Sequence, residues 1–398
     1  MKVDKYVMAQ ANKKSVLTII REEGPINRAE LARITGLSIA TIMKITEEFV
    51  SENIITYVGK RESTGGKRPE LFEFSTDSYH IIGLDFGRHT VKCILMNMVG
   101  EILIAKTIET GETIPAKNLI GRAVQLIDEV IKEGKESADG LLGIGIGMPG
   151  LLDSESGEVI FSPDFGWNNV DIVSEFEKHF KIPIIIDNAN RAMALGEYWF
   201  GAGKSAEYLV YVNLGYGIGA AIIQRGEIQR GFSGSSGELG HITMVKDGPL
   251  CDCGNRGCLE ALSSGNAIAK RAKEMLKKGS VSDFLSKRKE IDSKVVFDGA
   301  RDGDLLCEQI LNEAIDYIGI AVAGLLNLFD PECIVFGGGI LKSQDYFMPI
   351  LKQSIKKHQM KSAGRKVHLK VGELGETATS VGAATMVLKE FIDEGGHL

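Results

Sequence analysis

Residues 237–260 read GELGHITMVKDGPLCDCGNRGCLE, and no other run in the 398-residue chain constrains its fold as much. His241, Cys251, Cys253 and Cys258 supply one imidazole and three thiolates, the soft tetrahedral set that a structural zinc ion prefers. Three of the chain's six cysteines fall between residues 251 and 258, far closer than scattered core cysteines would lie. Gly254 and Gly257 let the backbone curl round an ion. Four protein ligands leave no position for a water, so the expected site is structural rather than catalytic.

A chain of this length exceeds one usual core and should divide into two or three domains. Its apolar content of 44% and charged content of 25% are those of a soluble globular protein. No uninterrupted apolar run reaches the ~18 residues of a membrane span, and residues 1–14 lack the apolar region of a secretory signal. The expectation is a cytoplasmic protein, with Cys93, Cys307 and Cys333 reduced and in the core. Charge is uneven. Residues 1–75 hold 12 Lys and Arg against 10 Asp and Glu, a net of +2; the remainder holds 34 against 43, a net of −9. A slightly basic head on an acidic body is a weak sign of nucleic-acid contact at the head.

The head has its own pattern. Val16, Leu17, Ile19 and Ile20 share a helical face, and Gly24-Pro25 ends that helix. Asn27 followed by Glu30 has the form of a capping box opening a short helix to Thr35, with Gly36 at its end. A third helix starts at Ser38. Its Ile42, Ile45 and Phe49 face inward, which turns Ala40 and Lys44 outward with Thr41 and Met43 beside them. Helix, turn and helix in this spacing set a second helix into the DNA major groove, so Ser38, Ala40, Thr41, Met43 and Lys44 are the candidate base-reading residues. Residues 54–74 read as two strands with a Gly-rich tip crowded by Lys60, Arg61, Lys67 and Arg68: a wing whose cations meet phosphates or the minor groove.

In the body, residues 81–103 and 208–231 each read as a strand, a small-residue turn, a second apolar strand and a tight turn, as if one unit were used twice. An amphipathic helix over about 119–135, a strand at 141–150, a helix over 308–328 and a strand-turn at 332–340 argue for an α/β body. Gly-rich turns after strands are common phosphate cradles, though many are merely turns.

Together these features resemble the ROK family of repressors, open reading frames and kinases, over nearly the whole chain. The most specific part is Glu238-Leu-Gly-His241 followed by Cys251-Asp-Cys253-Gly-Asn-Arg-Gly-Cys258-Leu-Glu260; GMPG at 147–150, GWNNV at 166–170, ALGE at 194–197 and GGG at 337–339 keep family order. The resemblance implies a two-lobed actin-like (ribonuclease H-like) sugar-kinase fold behind a winged helix-turn-helix of the transcriptional-regulator, xylose-repressor-like branch. The domains expected are 1–75 for the head, 76–190 with 373–398 for lobe I, and 191–372 for lobe II with the metal loop. It further implies sugar ligands at Asn169, Asp187, Asn188, Glu238, His241 and Glu260. A pyranose presents adjacent hydroxyls that carboxylates, amides and an imidazole can hold bidentately. His241 would then face the zinc with one ring nitrogen and a sugar hydroxyl with the other.

The kinase parts of the pattern are altered. A sugar kinase needs a base for the attacking hydroxyl and a cradle for nucleotide phosphates. Counted back from ALGE, the base position of the family's kinases holds Ala189, or Asn188 if one residue is inserted; Asp187 is the nearest carboxylate. The first phosphate turn reads Asp85-Phe86-Gly87-Arg88-His89 where the kinases have Asp-x-Gly-Gly-Thr, and the second places Tyr216 where they commonly carry Thr. Arg88 could still attract an anion. The expectation is a sugar-responsive DNA-binding regulator, a repressor acting as a homodimer or higher oligomer on double-stranded operator DNA. The alternative is an ATP- and Mg2+-dependent hexose or N-acetylhexosamine kinase with Asp187 as base. A third possibility is a head that binds another protein.

Overall fold

The computed structural model describes residues 5–60, 70–111, 115–135, 140–361 and 366–398. They form two compact units, one of residues 1–192 with 379–398 and the other of residues 193–378. The N-terminal head thus groups with the first half of the body and with the C-terminal segment.

The head comprises α1 (Lys5–Glu23), α2 (Arg28–Thr35), α3 (Ile39–Ser51) and the antiparallel strands β1 (Ile55–Lys60) and β2 (Glu70–Phe74). Its caps are those the sequence signals. Asn27 Oδ1 accepts from Glu30 N at 3.0 Å while its amide donates to Glu30 Oε2 at 2.8 Å, and Gly36 closes α2 at φ +72°. Ser38 accepts from Thr41 N and so starts α3. Val16, Leu17, Leu31, Ile42, Phe49, Ile54 and Phe72 are buried as one small core.

The body of the first unit is a five-stranded sheet ordered β10-β6-β3-β4-β5, from β3 (His80–Phe86), β4 (Thr90–Asn97), β5 (Ile102–Glu109), β6 (Leu141–Met148) and β10 (Ile184–Asn188). β4 runs antiparallel to β3 and β5, while β6 is parallel to β3 and β10. The alternation in β6 explains how both faces are covered. Ile144, Ile146 and Met148 join Ile82, Leu84 and Phe86 in a core with α4 (Ala116–Gly134). Gly143, Gly145 and Gly147 face the other way, onto α12 (Ala378–Asp393). A Cβ at Gly145 would lie 1.8 Å from Ala383 O, and one at Gly83 of β3 would lie 2.0 Å from Ser380 O. Backbone therefore rests on backbone there, with no side chain between. A three-stranded sheet, β7 (Leu151–Asp153), β8 (Glu158–Ser162) and β9 (Trp167–Asp171), and the short helix α5 (Ile172–Glu177) complete this unit with the start of α6 (Ala189–Phe200).

The second unit repeats the plan. Its sheet is ordered β13-β12-β11-β14-β15, from β11 (Tyr208–Leu214), β12 (Ile218–Gln224), β13 (Glu227–Ile228), β14 (Cys333–Gly337) and β15 (His368–Val371). β11, β12 and β13 are antiparallel, and β14 and β15 run parallel to β11. Strand for strand this matches the first sheet, as the paired sequence patterns predict. α7 (Leu259–Ser263), α8 (Gly265–Lys277), α9 (Ser293–Arg301), α10 (Leu305–Phe329) and α11 (Gln344–His358) pack against it. α10 is apolar and long enough to cross a membrane by length and composition, but here its Ile, Leu, Val and Ala side chains fill the core. Cys93, Cys307 and Cys333 are buried free thiols.

Candidate functional site

The four metal-ligand candidates converge. One donor atom from each of His241, Cys251, Cys253 and Cys258 lies within 4.8 Å of every other. Cys253 Sγ and Cys258 Sγ are 3.7 Å apart, as are Cys251 Sγ and His241 Nδ1. A tetrahedral ion with bonds of ~2.3 Å to sulfur separates two sulfurs by ~3.8 Å, the spacing Cys253 and Cys258 already have, so the donor set is compatible with such an ion. The loop is closed by its own backbone: Cys251 N donates to Asn255 O, Gly257 N to Pro249 O and Leu259 N to Ile242 O. Gly257, at φ +71°, has no alternative, since a Cβ would sit 1.7 Å from Val245 O. Burial pushes the Cys251 thiol up to about 12 and raises that of Cys258, so an entering ion displaces protons from the loop.

Two carboxylates flank the cluster. His241 turns Nδ1 toward the sulfurs and Nε2 toward Glu238, whose Oε2 is 3.7 Å away and largely exposed. Glu260 stands in the first turn of α7, immediately after Cys258, so the ligand fixes where the helix begins. Its Oε2 accepts from Ile218 N at 2.8 Å, and a Cβ on Gly217 would lie 2.4 Å from that oxygen. The second Gly-rich turn thus receives the protein's own carboxylate, and Tyr216 beside it is exposed.

In the first unit, Asp187 is fully buried. Its Oδ1 accepts from Arg191 Nε at 2.5 Å, from Asn188 N at 2.7 Å and from Ser154 Oγ at 3.1 Å. Asn188 donates its amide to Gly150 O at 2.9 Å and accepts from Asn190 N at 2.8 Å, which ties it to the GMPG turn and the start of α6. Asn169 is exposed on β9 at φ +50°. In the first Gly-rich turn, Arg88 pairs with Asp164 at 2.7 Å, so its charge is already answered. Burial pushes Asp85 up to about 7, against the opposing pull of Lys92 and a hydrogen bond from Thr379.

On the head, Ser38, Ala40, Met43 and Lys44 are exposed and Thr41 is half-buried, while Ile42, Ile45 and Phe49 point inward. Of the wing cations, Arg61, Lys67 and Arg68 and the side chain of Lys60 lie outside the described residues.

A sequence profile of the ROK family matches residues 81–390, and one for a winged helix-turn-helix DNA-binding domain matches residues 10–56. The chain belongs to the ROK family. It is 32% identical to a xylose repressor of Caldicellulosiruptor bescii, over 97% of each chain. The crystal structure of a ROK transcriptional regulator, a homologue of the Escherichia coli MLC protein, superposes with a TM-score of 0.85 at 29% identity and 98% coverage of both. A ROK glucokinase from Streptomyces griseus, solved with glucose and AMPPNP, gives 0.65 at 28% identity; it covers 98% of its own length but 77% of this chain.

The chain also contains residues whose roles only the structure exposes. Glu197 of ALGE is buried and accepts backbone N–H groups from Ala202, Glu373 and Leu374, so that motif braces a loop. Arg28 binds Thr46 of α3 at 2.8 Å, stacks on Phe72 of β2 and reaches Glu70, locking the wing to the recognition helix. Arg191 answers Asp187. The i,i+4 spacing of Asp187 and Arg191 was the one legible hint of that pair.

Proposed function

We propose that this ROK protein is a sugar-responsive, DNA-binding transcriptional regulator, a repressor whose body binds a sugar effector instead of phosphorylating it. One observation carries the reading: a winged helix-turn-helix with an exposed recognition face is joined to a sugar-kinase body in which Asp187, the carboxylate nearest the base position, is buried against Arg191. A general base must present an accessible oxygen to a substrate hydroxyl, whereas Asp187 is buried with Oδ1 engaged by a guanidinium, a hydroxyl and a backbone N–H. The occupied Gly217 turn and the pairing of Arg88 support the same conclusion for the nucleotide side.

The metal is zinc, held by His241, Cys251, Cys253 and Cys258, and when bound it shapes the loop without activating a water. Glu238, His241, Glu260 and Asn169 are the sugar ligands proposed, with Asp187 and Asn188 fixing the turn that follows β10. Operator DNA is read through Ser38, Ala40, Thr41, Met43 and Lys44, with Lys60, Arg61, Lys67 and Arg68 of the wing on phosphates. The acting form is a homodimer on two half-sites about one helical turn apart. Its compartment is the cytoplasm.

A gel-shift titration against operator DNA with xylose, glucose and N-acetylglucosamine tests this, paired with calorimetry of sugar binding. Operator affinity should change about 5–150-fold with one sugar, the span of ordinary coupling energies. Measured sugar binding with unchanged operator occupancy would defeat it. Steady ADP release with a hexose, abolished by Asp187→Asn, would instead establish the kinase. Absence of salt-dependent affinity for any duplex would assign the head to a protein partner.

A further inference from the structure

The C-terminal segment touches both the body sheet and the core of the head beneath the recognition helix. α12 starts one residue before the chain re-enters the first unit at Thr379, and it lies backbone to backbone on β3 and β6. Besides the contacts at Gly83 and Gly145, a Cβ at Gly147 would meet Thr379 Cγ2 at 2.4 Å, and one at Gly382 would meet Ala192 O at 1.7 Å. A helix seated this closely cannot slide over the sheet without opening it.

The other end of α12 lies on the head. Phe391 packs on Tyr79 with ring centroids 6.0 Å apart, and the Tyr79 hydroxyl donates at 3.0 Å to the carbonyl of Glu52, the residue that caps α3. Asp393 pairs with Lys14 of α1 at 2.8 Å and with Lys389. The chain then turns through Gly395 and Gly396, both at positive φ. Gly396 presses into the head core: a Cβ there would lie 3.0 Å from Ile54, 3.3 Å from Phe49 and 3.6 Å from Leu17. His397 reaches Lys13, which pairs with Glu48 of α3 at 2.6 Å.

We propose that residues 391–397 form a clasp that makes α3 move with α12, and that through it a change in the body alters operator affinity. A head on a free linker would bind DNA whatever the body did. The inference rests on the sugar-responsive reading for its trigger, though the clasp itself does not.

Two variants of the full chain test it, Gly396→Val, which overfills the head core contact, and the charge reversal Asp393→Lys. In the parent protein, head and body should unfold in one transition, and exchange of the α3 amides should slow to the rate of the β6 amides. In either variant the head should melt first, with α3 exchange at least ~10-fold faster and β6 unchanged. Operator affinity without sugar should stay within ~3-fold and sugar affinity within ~2-fold, while the effect of sugar on the operator falls below ~2-fold. Adding Lys14→Asp to Asp393→Lys should restore the coupling, which simple damage to the fold would not allow. A parent head that already melts and exchanges independently, or variants that keep the full sugar effect, would overturn the clasp. If no sugar acts on the parent while the melting and exchange results hold, the sugar-responsive reading fails and the clasp stands.

Discussion

Arg191 Nε donates to Asp187 Oδ1 at 2.5 Å, four residues apart across the start of α6, and the two side chains are 5% and 1% exposed. That pair joins the end of β10 to the first turn of α6 and takes up the carboxylate nearest the position where ROK kinases keep their base. It also makes a sharp prediction about stability.

Arg191→Met takes away the guanidinium that Asp187 Oδ1 pairs with inside the fold, so it should lower unfolding free energy by about 3–5 kcal/mol. The double variant Asp187→Asn with Arg191→Met should recover much of that loss. Urea denaturation of the three proteins reads it directly; equal losses in the single and double variants would contradict the account.

Metal removal should act on stability and sugar affinity together, because the same loop carries Glu238, His241 and Glu260. Cys253→Ser, or extraction with a chelator, should lower the melting temperature of the body and weaken the sugar at least ~10-fold. Gly257→Ala should resemble it, given the 1.7 Å approach to Val245 O. Retained sugar affinity in protein shown by elemental analysis to be metal-free would break the link.

Asp85 sets a pH dependence whose sign is fixed by its raised pKa. Folded protein holds this proton up to about 7, whereas an unfolded Asp releases it near its ordinary value of 3.8. Between those limits the folded state binds more protons, so this group's contribution to stability falls as pH rises. Asp85→Asn keeps the Thr379 hydrogen bond without the charge. It should therefore gain on the parent between pH 5 and 8, by about 1–3 kcal/mol given the opposing Lys92 charge. Parallel stability curves for the two proteins would show that the carboxyl is not so perturbed.

DNA affinity should separate base reading from phosphate binding. Lys44→Ala should change the preferred base at one half-site position, worth about 1–3 kcal/mol, while Lys67→Ala and Arg68→Ala should weaken all duplexes alike and flatten the salt slope by about 0.9 for each phosphate no longer neutralised. Binding-site selection at two salt concentrations distinguishes the outcomes. A uniform loss for Lys44→Ala would remove it from the base-reading set.

The sequence alone determined the features that depend on neighbours in the chain. The capping residues Asn27, Glu30 and Ser38, the inward stripe of Ile42, Ile45 and Phe49, and the spacing of His241, Cys251, Cys253 and Cys258 are all short-range, because a cap or a metal loop closes within a few residues of where it starts. The twofold use of one sheet plan was visible too, since a strand-turn-strand pattern repeats its apolar periodicity. Tertiary structure decided what each carboxylate and cation answers to. Asp187 could be read as a free base until Arg191 and Ser154 closed on it, Arg88 as an anion site until Asp164 paired with it, and Glu260 as a ligand open at both oxygens until Ile218 N reached Oε2. The glycines of β6 mark a strand in the sequence without saying what they face. They make room for α12 only because residues 378–393 return to the sheet from the far end of the chain, and long-range approach of that kind leaves no local periodic trace.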